Sequence, residues 1–272
     1  MKYNRLFVFL ISTFFITWIC WWSLVILVTN NILSYGQVLF TLLFVIGGLG
    51  PTVSAFLSIA IAKGNIGFRE YNKCLFKWRL NVFWFVIPFV IVFGIAFVSI
   101  GLNMLMIKGF NLNLQRWYMI IPFFILMVIG GGLEELGWRG IALPELENKF
   151  TPLMSSLILS IIWTLWHLPL FFIKGTNQYG CSFLIFYLGV IGLTLILTWI
   201  YNQTESLLIC IVFHASYNMV AAMGLTTVLV QPGEIASGMV NTLLIVIVGL
   251  ILLLIYPKRK RFKKNNEVIT KY

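Results

Sequence analysis

The stretch WYMIIPFFILMVIGGGLEELGWRG, residues 117–140, decides how this chain folds. It begins as an apolar run long enough to cross a lipid bilayer, for which about 20 residues suffice. It ends on two adjacent glutamates, Glu134 and Glu135, with Arg139 a short distance further on. Ionisable side chains within such a run are costly and mark functional positions in membrane proteins. The stretch therefore predicts a transmembrane helix that carries part of a site.

The rest of the chain has the same apolar character. Of its 272 residues, 60% are hydrophobic and only 10% are charged, which is far more apolar surface than a soluble core can bury. The runs long enough to span a bilayer cover residues 6–28, 38–62, 82–106, 117–141, 152–174, 181–201, 206–230 and 239–256. The sequence predicts an all-α protein of the cell membrane, a polytopic bundle of about eight transmembrane helices that forms one domain over residues 1–272.

The net charge of +11 is explained by membrane topology and does not indicate a nucleic-acid partner. With the N-terminus placed in the cytoplasm, all but three of the 19 Lys and Arg residues fall on the cytoplasmic side, the exceptions being Lys108, Arg116 and Lys174. This asymmetry follows the positive-inside rule, so both termini are predicted to be cytoplasmic. The basic tail at 258–264 is expected to contact anionic headgroups, which makes membrane lipids expected partners.

Two local patterns predict how helices meet the membrane. Glycines and a proline at residues 47–51 favour a kinked second helix that a neighbour can approach closely. The basic segment 63–81, with interleaved aromatic residues, is typical of a helix that lies in the membrane interface. It is expected to be a linker. In the fifth run, Thr151 and Pro152 predict a helix start, with the threonine as the N-cap.

Few polar side chains are available for chemistry inside the apolar runs. The chain has no aspartate, and Glu134 and Glu135 are the glutamates that fall within a run. Glu135 and Arg139 are four residues apart, so on a helix they should form an ion pair. Glu134 points to another face and lacks that partner. It is therefore the carboxylate expected to exchange a proton with water.

Both histidines of the chain, His167 and His214, also lie inside apolar runs. His214 and Asn218 are four residues apart, so one helix face presents two hydrogen-bond donors of the kind that stabilise an oxyanion. Trp163 shares a face with His167 and is expected to form a wall beside its imidazole. Each feature taken alone also fits a structural ion pair or a hydrogen bond between helices.

Buried glutamate and histidine also occur in the proton relays of transporters. A proton-coupled transporter, however, is expected to show inverted repeats with broken helices at paired positions. The sequence shows neither. This function stays the weakest alternative.

Taken together, these residues form three motifs, EExxxR from Glu134, WxxxH from Trp163 and HxxxN from His214. They resemble the EExxxR, FxxxH and HxxxN/D pattern of the CPBP family of intramembrane proteases, also called type II CAAX prenyl endopeptidases, Ras-converting-enzyme-like or Abi proteins. The resemblance covers residues 117–220, the predicted protease core. One departure is Trp163, which stands where Phe is usual and is expected to be a conservative change.

The resemblance implies an endopeptidase whose site opens toward the cytoplasm and which cuts a membrane-associated peptide, either a lipidated CAAX-type peptide or a hydrophobic one. In it, Glu134 would activate water with the help of His167, while His214 and Asn218 would stabilise the oxyanion. Glu135 and Arg139 would hold the geometry. The predicted catalytic residues are Glu134, Glu135, Arg139, His167, His214 and Asn218. Some relatives are associated with bacteriocin self-protection, so an immunity protein is the main alternative.

The sequence leaves the cofactor open between none and zinc. If zinc is used, its ligands are expected to be Glu134, His167 and His214, a set found in catalytic zinc sites. The HExxH spacing, which places two ligands on one helix face, is absent from the chain. A site without metal is therefore the prediction, and the oligomeric state is not predicted.

Overall fold

The structure, a computed structural model, describes residues 4–112, 114–226 and 235–255, and these ranges contain helices and connecting loops but no strand. The α-helices are α1 (Arg5–Thr29), α2 (Val38–Gly48), α3 (Gly50–Leu75), α4 (Phe83–Met106), α5 (Ile120–Ile129), α6 (Glu135–Gly137), α7 (Leu143–Glu147), α8 (Pro152–Trp166), α9 (Phe183–Thr204), α10 (Leu207–Ala222) and α11 (Ile235–Ile255). Turns of 3-10 helix cover Trp117–Met119, Gly132–Glu134 and Leu168–Phe172, and Trp138–Ala142 is a π-helix. The all-α prediction is confirmed.

Several helices are long and apolar enough to cross a membrane, so the chain is a multi-pass membrane protein. Within the described ranges there are five such segments, or six if the bent pair α2 and α3 is one span. The predicted runs 152–174 and 206–230 contain the shorter helices α8 and α10, of 15 and 16 residues. At about 1.5 Å per residue these reach about 23 Å, less than the hydrocarbon thickness of about 30 Å. The count of eight transmembrane helices is not confirmed.

The two short helices stop early for local reasons. Pro169 has no backbone N–H to continue the hydrogen bonding of α8, so the chain turns into 3-10 helix. Gly224, with φ of 76°, takes the left-handed conformation that ends α10. The start of α8 agrees with the prediction, because the Thr151 side chain accepts a hydrogen bond from the backbone N–H of Met154.

The predicted kink in the second run is confirmed as a 46° bend between α2 and α3. The glycines allow α1 to approach closely at this bend. A Cβ at Gly47 would overlap the indole of Trp21, and a Cβ at Gly50 would overlap the hydroxyl of Thr17. The Thr17 hydroxyl donates a 2.7 Å hydrogen bond to the carbonyl of Gly47, which fixes α1 against the bend.

The segment 63–81, predicted to be a helix in the membrane interface that serves as a linker, is helical in its first part. Its first part continues α3 without a break as far as Leu75. The reason is a packed anchor, because the buried side chain of Tyr71 donates a 2.6 Å hydrogen bond to the carbonyl of Leu136. This contact ties the end of α3 to the segment that carries the glutamates. The basic tail at 258–264 lies outside the described residues.

The helix that carries His214 and Asn218, α10, is surrounded by other helices. α10 packs against α4, α5 and α9, while α9 also contacts α8 and α11. Of the most apolar 18 residues of α9, 61% are buried, against 28% to 33% of the corresponding residues in the other four long spans. On α10, His214 and Ser216 are buried and Asn218 is half-buried.

Candidate active site

The site is built on an irregular stretch of helix. α5 ends at Ile129, two glycines interrupt it, and the chain then passes through 3-10 helix, one turn of α-helix and the π-helix Trp138–Ala142. π-Helices are rare and are frequent at functional sites. Glu134 and Glu135 lie where the 3-10 helix joins α6, and their side chains are 7% and 0% exposed. Both acids are thus inside the protein.

The ion pair predicted between Glu135 and Arg139 is confirmed. Nη1 of Arg139 donates a 3.1 Å hydrogen bond to Oε1 of Glu135 and lies 3.0 Å from its Oε2. The other guanidinium nitrogens, Nε and Nη2, make no hydrogen bond to any described residue. The guanidinium carbon lies instead 4.7 Å from the centre of the Trp163 ring, a cation–π contact that partly compensates the buried charge.

Glu135 also orients His214. Nδ1 of the imidazole lies 2.8 Å from Oε1 of the carboxylate, an arrangement in which Nδ1–H donates and Nε2 faces away. On that side lies Gly131, where a Cβ would be 3.1 Å from Nε2 of His214 and would overlap Nδ2 of Asn218. Gly131 therefore leaves space that both polar groups of α10 border. The Asn218 amide forms no hydrogen bond within the described part of the chain.

Glu134 is held by two indoles. Nε1 of Trp163 donates a 2.8 Å hydrogen bond to Oε2, and Nε1 of Trp138 donates a 3.3 Å bond to the same oxygen. The other oxygen, Oε1, accepts no hydrogen bond from the residues the structure describes. Among the described residues Glu134 has no arginine or lysine partner, as predicted, and its hydrogen-bond donors are the two indoles.

His167 is fixed by the backbone of its own helix. It caps α8, and its Nδ1 lies 2.9 Å from the carbonyl oxygen of Trp163. Because a carbonyl can only accept, Nδ1 carries the proton and Nε2 of the neutral ring is left as an acceptor. The ring packs edge-on against Trp166 and Phe186, with centroids 4.5 Å and 5.2 Å away.

Trp163 connects these groups. Its ring centroid lies 5.3 Å from that of His214 and 6.0 Å from that of His167, and its N–H reaches Glu134. The structure thus brings all six predicted residues to one place, around Trp163 and Gly131. Their catalytic roles stay predictions.

The sequence reasoning missed Trp138 altogether, and it named Trp163 only as a wall beside His167 and not as a donor to Glu134. Trp138 could have been found, because it is four residues from Glu134, the spacing that pairs Glu135 with Arg139. The Trp163 bond joins residues 29 apart on different helices, which no periodicity reveals. Describing Trp163 as a conservative replacement of Phe is wrong in one respect, because Phe has no N–H to donate.

The glycines near the motif act differently from one another. The sequence predicts that the glycines beside the motif, at 130–132, 137 and 140, leave room for water or an extended peptide. A Cβ at Gly137 would lie 2.7 Å from both Phe9 and the carbonyl of Pro51, and one at Gly140 would lie 2.6 Å from the Tyr71 ring. These two glycines therefore allow helices to pack. Gly131 borders the site.

The zinc alternative does not fit the arrangement. In the described ranges no three His, Cys, Asp or Glu side chains are grouped so that they could hold a metal ion. Glu134, His167 and His214 are all among the residues searched, and Oε2 of Glu134 already accepts two N–H bonds. No step below is assigned to a metal, and the prediction of a site without one stays a prediction.

Comparison with known proteins gives the class of this site. The family described as type II CAAX prenyl endopeptidase, Rce1-like, matches residues 114–220, the part that carries all three motifs. The chain is also 27% identical over 238 residues to "CAAX prenyl protease 2" of Methanococcus maripaludis, which covers 80% of this chain and 84% of that protein. These findings agree with the family resemblance predicted from the motifs: residues 114–220 are similar to the Rce1-like CAAX prenyl endopeptidases. The family supports intramembrane endopeptidase activity in general.

Proposed function

We propose that the chain hydrolyses a peptide bond with a water molecule activated by Glu134. The observation that supports this is the unequal surroundings of the two carboxylate oxygens. Oε2 is held by two indole N–H groups, whereas Oε1 has no hydrogen bond from the described residues. A carboxylate fixed through one oxygen can take a proton from water with the other.

The remaining residues fit the steps that follow. As Glu134 takes a proton, the water oxygen attacks the carbonyl carbon, and the carbonyl oxygen becomes an oxyanion. In its imidazolium form His214 can donate from Nε2 while Nδ1–H stays bonded to Glu135. Asn218 supplies the second donor. Glu134 then returns its proton to the leaving amine as the C–N bond breaks, with the acceptor Nε2 of His167 assisting proton movement.

The proposed substrate is a membrane-associated peptide cut near its C-terminal end, lipidated in the CAAX manner. The support is the name of the relative, a CAAX prenyl protease, together with a site carried by helices of a membrane bundle. A hydrophobic peptide without a lipid is the other form of this proposal. Membrane lipids are proposed partners, because long apolar helices form the outside of the bundle.

The test is cleavage of a farnesylated CAAX peptide by the protein in proteoliposomes. Glu134→Gln keeps the shape and the hydrogen-bond acceptor but removes the base, so kcat/KM is expected to fall by at least about 1,000-fold. Glu145→Gln, which removes a carboxylate outside the site, is the matched control and should leave the rate close to wild type. Cleavage by Glu134→Gln at the control rate would refute the proposed base. The same peptide without its farnesyl group tests the lipid requirement separately.

A further inference from the structure

The second motif departs from the family pattern at a position where the departure changes chemistry. Phe is usual at this position, and this chain has Trp163. Both side chains present an aromatic face, but indole adds one N–H donor. In this structure that donor is used, because Nε1 lies 2.8 Å from Oε2 of Glu134.

We propose that Trp163 is a positioning residue that acts on Glu134. Its N–H holds Oε2 and thereby directs Oε1 toward the attacking water. This inference rests on the proposed function, in which Glu134 is the base. It extends that function with a residue that acts through the base and not on the substrate.

Trp163 is itself held firmly enough to do this. Its side chain is 1% exposed, the Arg139 guanidinium covers one face, and the His214 ring contacts it at 84°. The bond also joins α8 to the start of α6, so it fixes Glu134 relative to a second helix. Trp138, on the same stretch as Glu134, gives a longer bond of 3.3 Å and is the weaker of the two restraints.

Trp163 contributes to the site through its backbone as well. Its carbonyl oxygen accepts the Nδ1–H of His167, so one residue orients the base and the neighbouring imidazole. Trp163→Phe leaves that carbonyl and an aromatic face in place, and it removes the indole N–H together with one ring. A control that loses the same ring is therefore needed to separate the hydrogen bond to Glu134 from packing.

The expected kinetic effect is on the chemical step. Without the Trp163 donor, Glu134 keeps the longer bond from Trp138 and is free to leave the geometry needed for attack. We expect kcat of Trp163→Phe to fall by about 10- to 100-fold, as for the loss of a hydrogen bond to a charged group. KM should stay within about 2-fold, because the bond does not touch the substrate.

Trp166→Phe is the matched control. Trp166 lies on the same helix, is also 1% exposed, and donates its own 2.8 Å hydrogen bond, but to the hydroxyl of Thr17. The two variants therefore lose the same ring, the same donor and the same burial. If Trp163 acts only by packing, the two should lose kcat equally. If the bond to Glu134 matters, Trp166→Phe should keep kcat within about 3-fold of wild type.

A second measurement tests the hydrogen bond without any activity. In ¹⁵N-labelled protein in micelles, Glu134→Gln should move two of the ten indole N–H signals, those of Trp163 and Trp138. The Trp163 signal is the one lost in Trp163→Phe. Thr17→Val should move the Trp166 signal instead. Glu134→Gln keeps both indoles. The spectrum of this variant therefore still tests the hydrogen bond if Trp163→Phe does not fold.

The outcomes separate this inference from the proposed function. Either of two results would overturn the positioning role while leaving Glu134 as base. One is that the indole signals do not move in Glu134→Gln, and the other is that Trp163→Phe is no slower than Trp166→Phe. If wild-type protein cleaves no peptide although the indole signals respond as expected, the hydrogen bond exists but the proposed function fails. The positioning role then fails with it.

Discussion

The stretch from Glu134 to Glu147 has an arginine–glutamate pair at each end, and the two ends differ in burial. At the site end, Arg139 and Glu135 are both 0% exposed. At the other end, Nη2 of Arg5 lies 2.7 Å from Oε1 of Glu145, and these side chains are 19% and 26% exposed. The second pair joins the start of α1 to α7. Both pairs join a guanidinium to a carboxylate, and they differ in how far the two side chains are buried.

This difference shows how a pair contributes at each end. Water screens partly exposed charges, so such a pair stabilises the protein by at most about 1 kcal/mol. A fully buried pair gains little in total, because both charges lost their hydration, but removing one partner leaves an uncompensated charge in the interior. Glu135 additionally holds His214. The buried pair therefore defines the site, whereas the exposed pair fastens α1 to it.

Breaking the buried pair is expected to have the largest effect. Arg139→Met removes the guanidinium from Glu135 and from the face of Trp163. The free energy of unfolding should fall by about 3–5 kcal/mol, measured by denaturant titration in mixed micelles, and cleavage should be lost.

The double variant Arg139→Met with Glu135→Gln sharpens this prediction. With both charges removed, stability should recover in part, but activity should not, since His214 has lost its carboxylate. If Arg139→Met unfolds no more easily than Arg5→Met, the comparison between the two ends is wrong.

Gly131→Ala is expected to have the next largest effect. It changes the shape of the site and removes no charged group. Gly131 has φ of −176° and ψ of −46°, and alanine at this position adds one methyl group. Its Cβ would displace the Asn218 amide and come against Nε2 of His214. If these groups stabilise the oxyanion, kcat should fall by about 100-fold, measured with the peptide assay.

The control for Gly131→Ala is Gly94→Ala, where a Cβ has nothing within 4 Å. It should leave kcat unchanged and raise stability by at most about 1 kcal/mol, because Gly94 lies within α4. Full activity of Gly131→Ala would mean that the space beside His214 and Asn218 is not where the carbonyl binds.

How far the sequence could predict this site depends on whether a contact lies within one helix. The Glu135–Arg139 pair and the Thr151 cap follow from spacing along the chain, and both are present. The bond from Glu135 to His214 joins residues 79 apart. Composition and motifs put both residues in the membrane, but only packing brings them into contact.

The fold was predictable to a similar depth. Apolar runs predicted an all-helical membrane protein, since a bilayer requires backbone hydrogen bonds within each segment. They predicted helix lengths less well, because Pro169 and Gly224 end α8 and α10 inside their runs. The run 117–141 concealed the change from 3-10 to π-helix, a stretch in which Gly137 and Gly140 pack closely against α1 and α3.

The smallest expected effect is at the exposed end, and it tests burial against distance. The Arg5–Glu145 contact, at 2.7 Å, is shorter than the 3.0 Å contact of Arg139 with Oε2 of Glu135, so distance alone would make it the stronger pair. A double-mutant cycle with Arg5→Gln and Glu145→Gln should nevertheless give a coupling energy of at most about 1 kcal/mol. The coupling should shrink further at high salt, since screening acts on exposed charges. A larger, salt-independent coupling would show that α1 is fastened as rigidly as the site, and that burial does not separate the two ends.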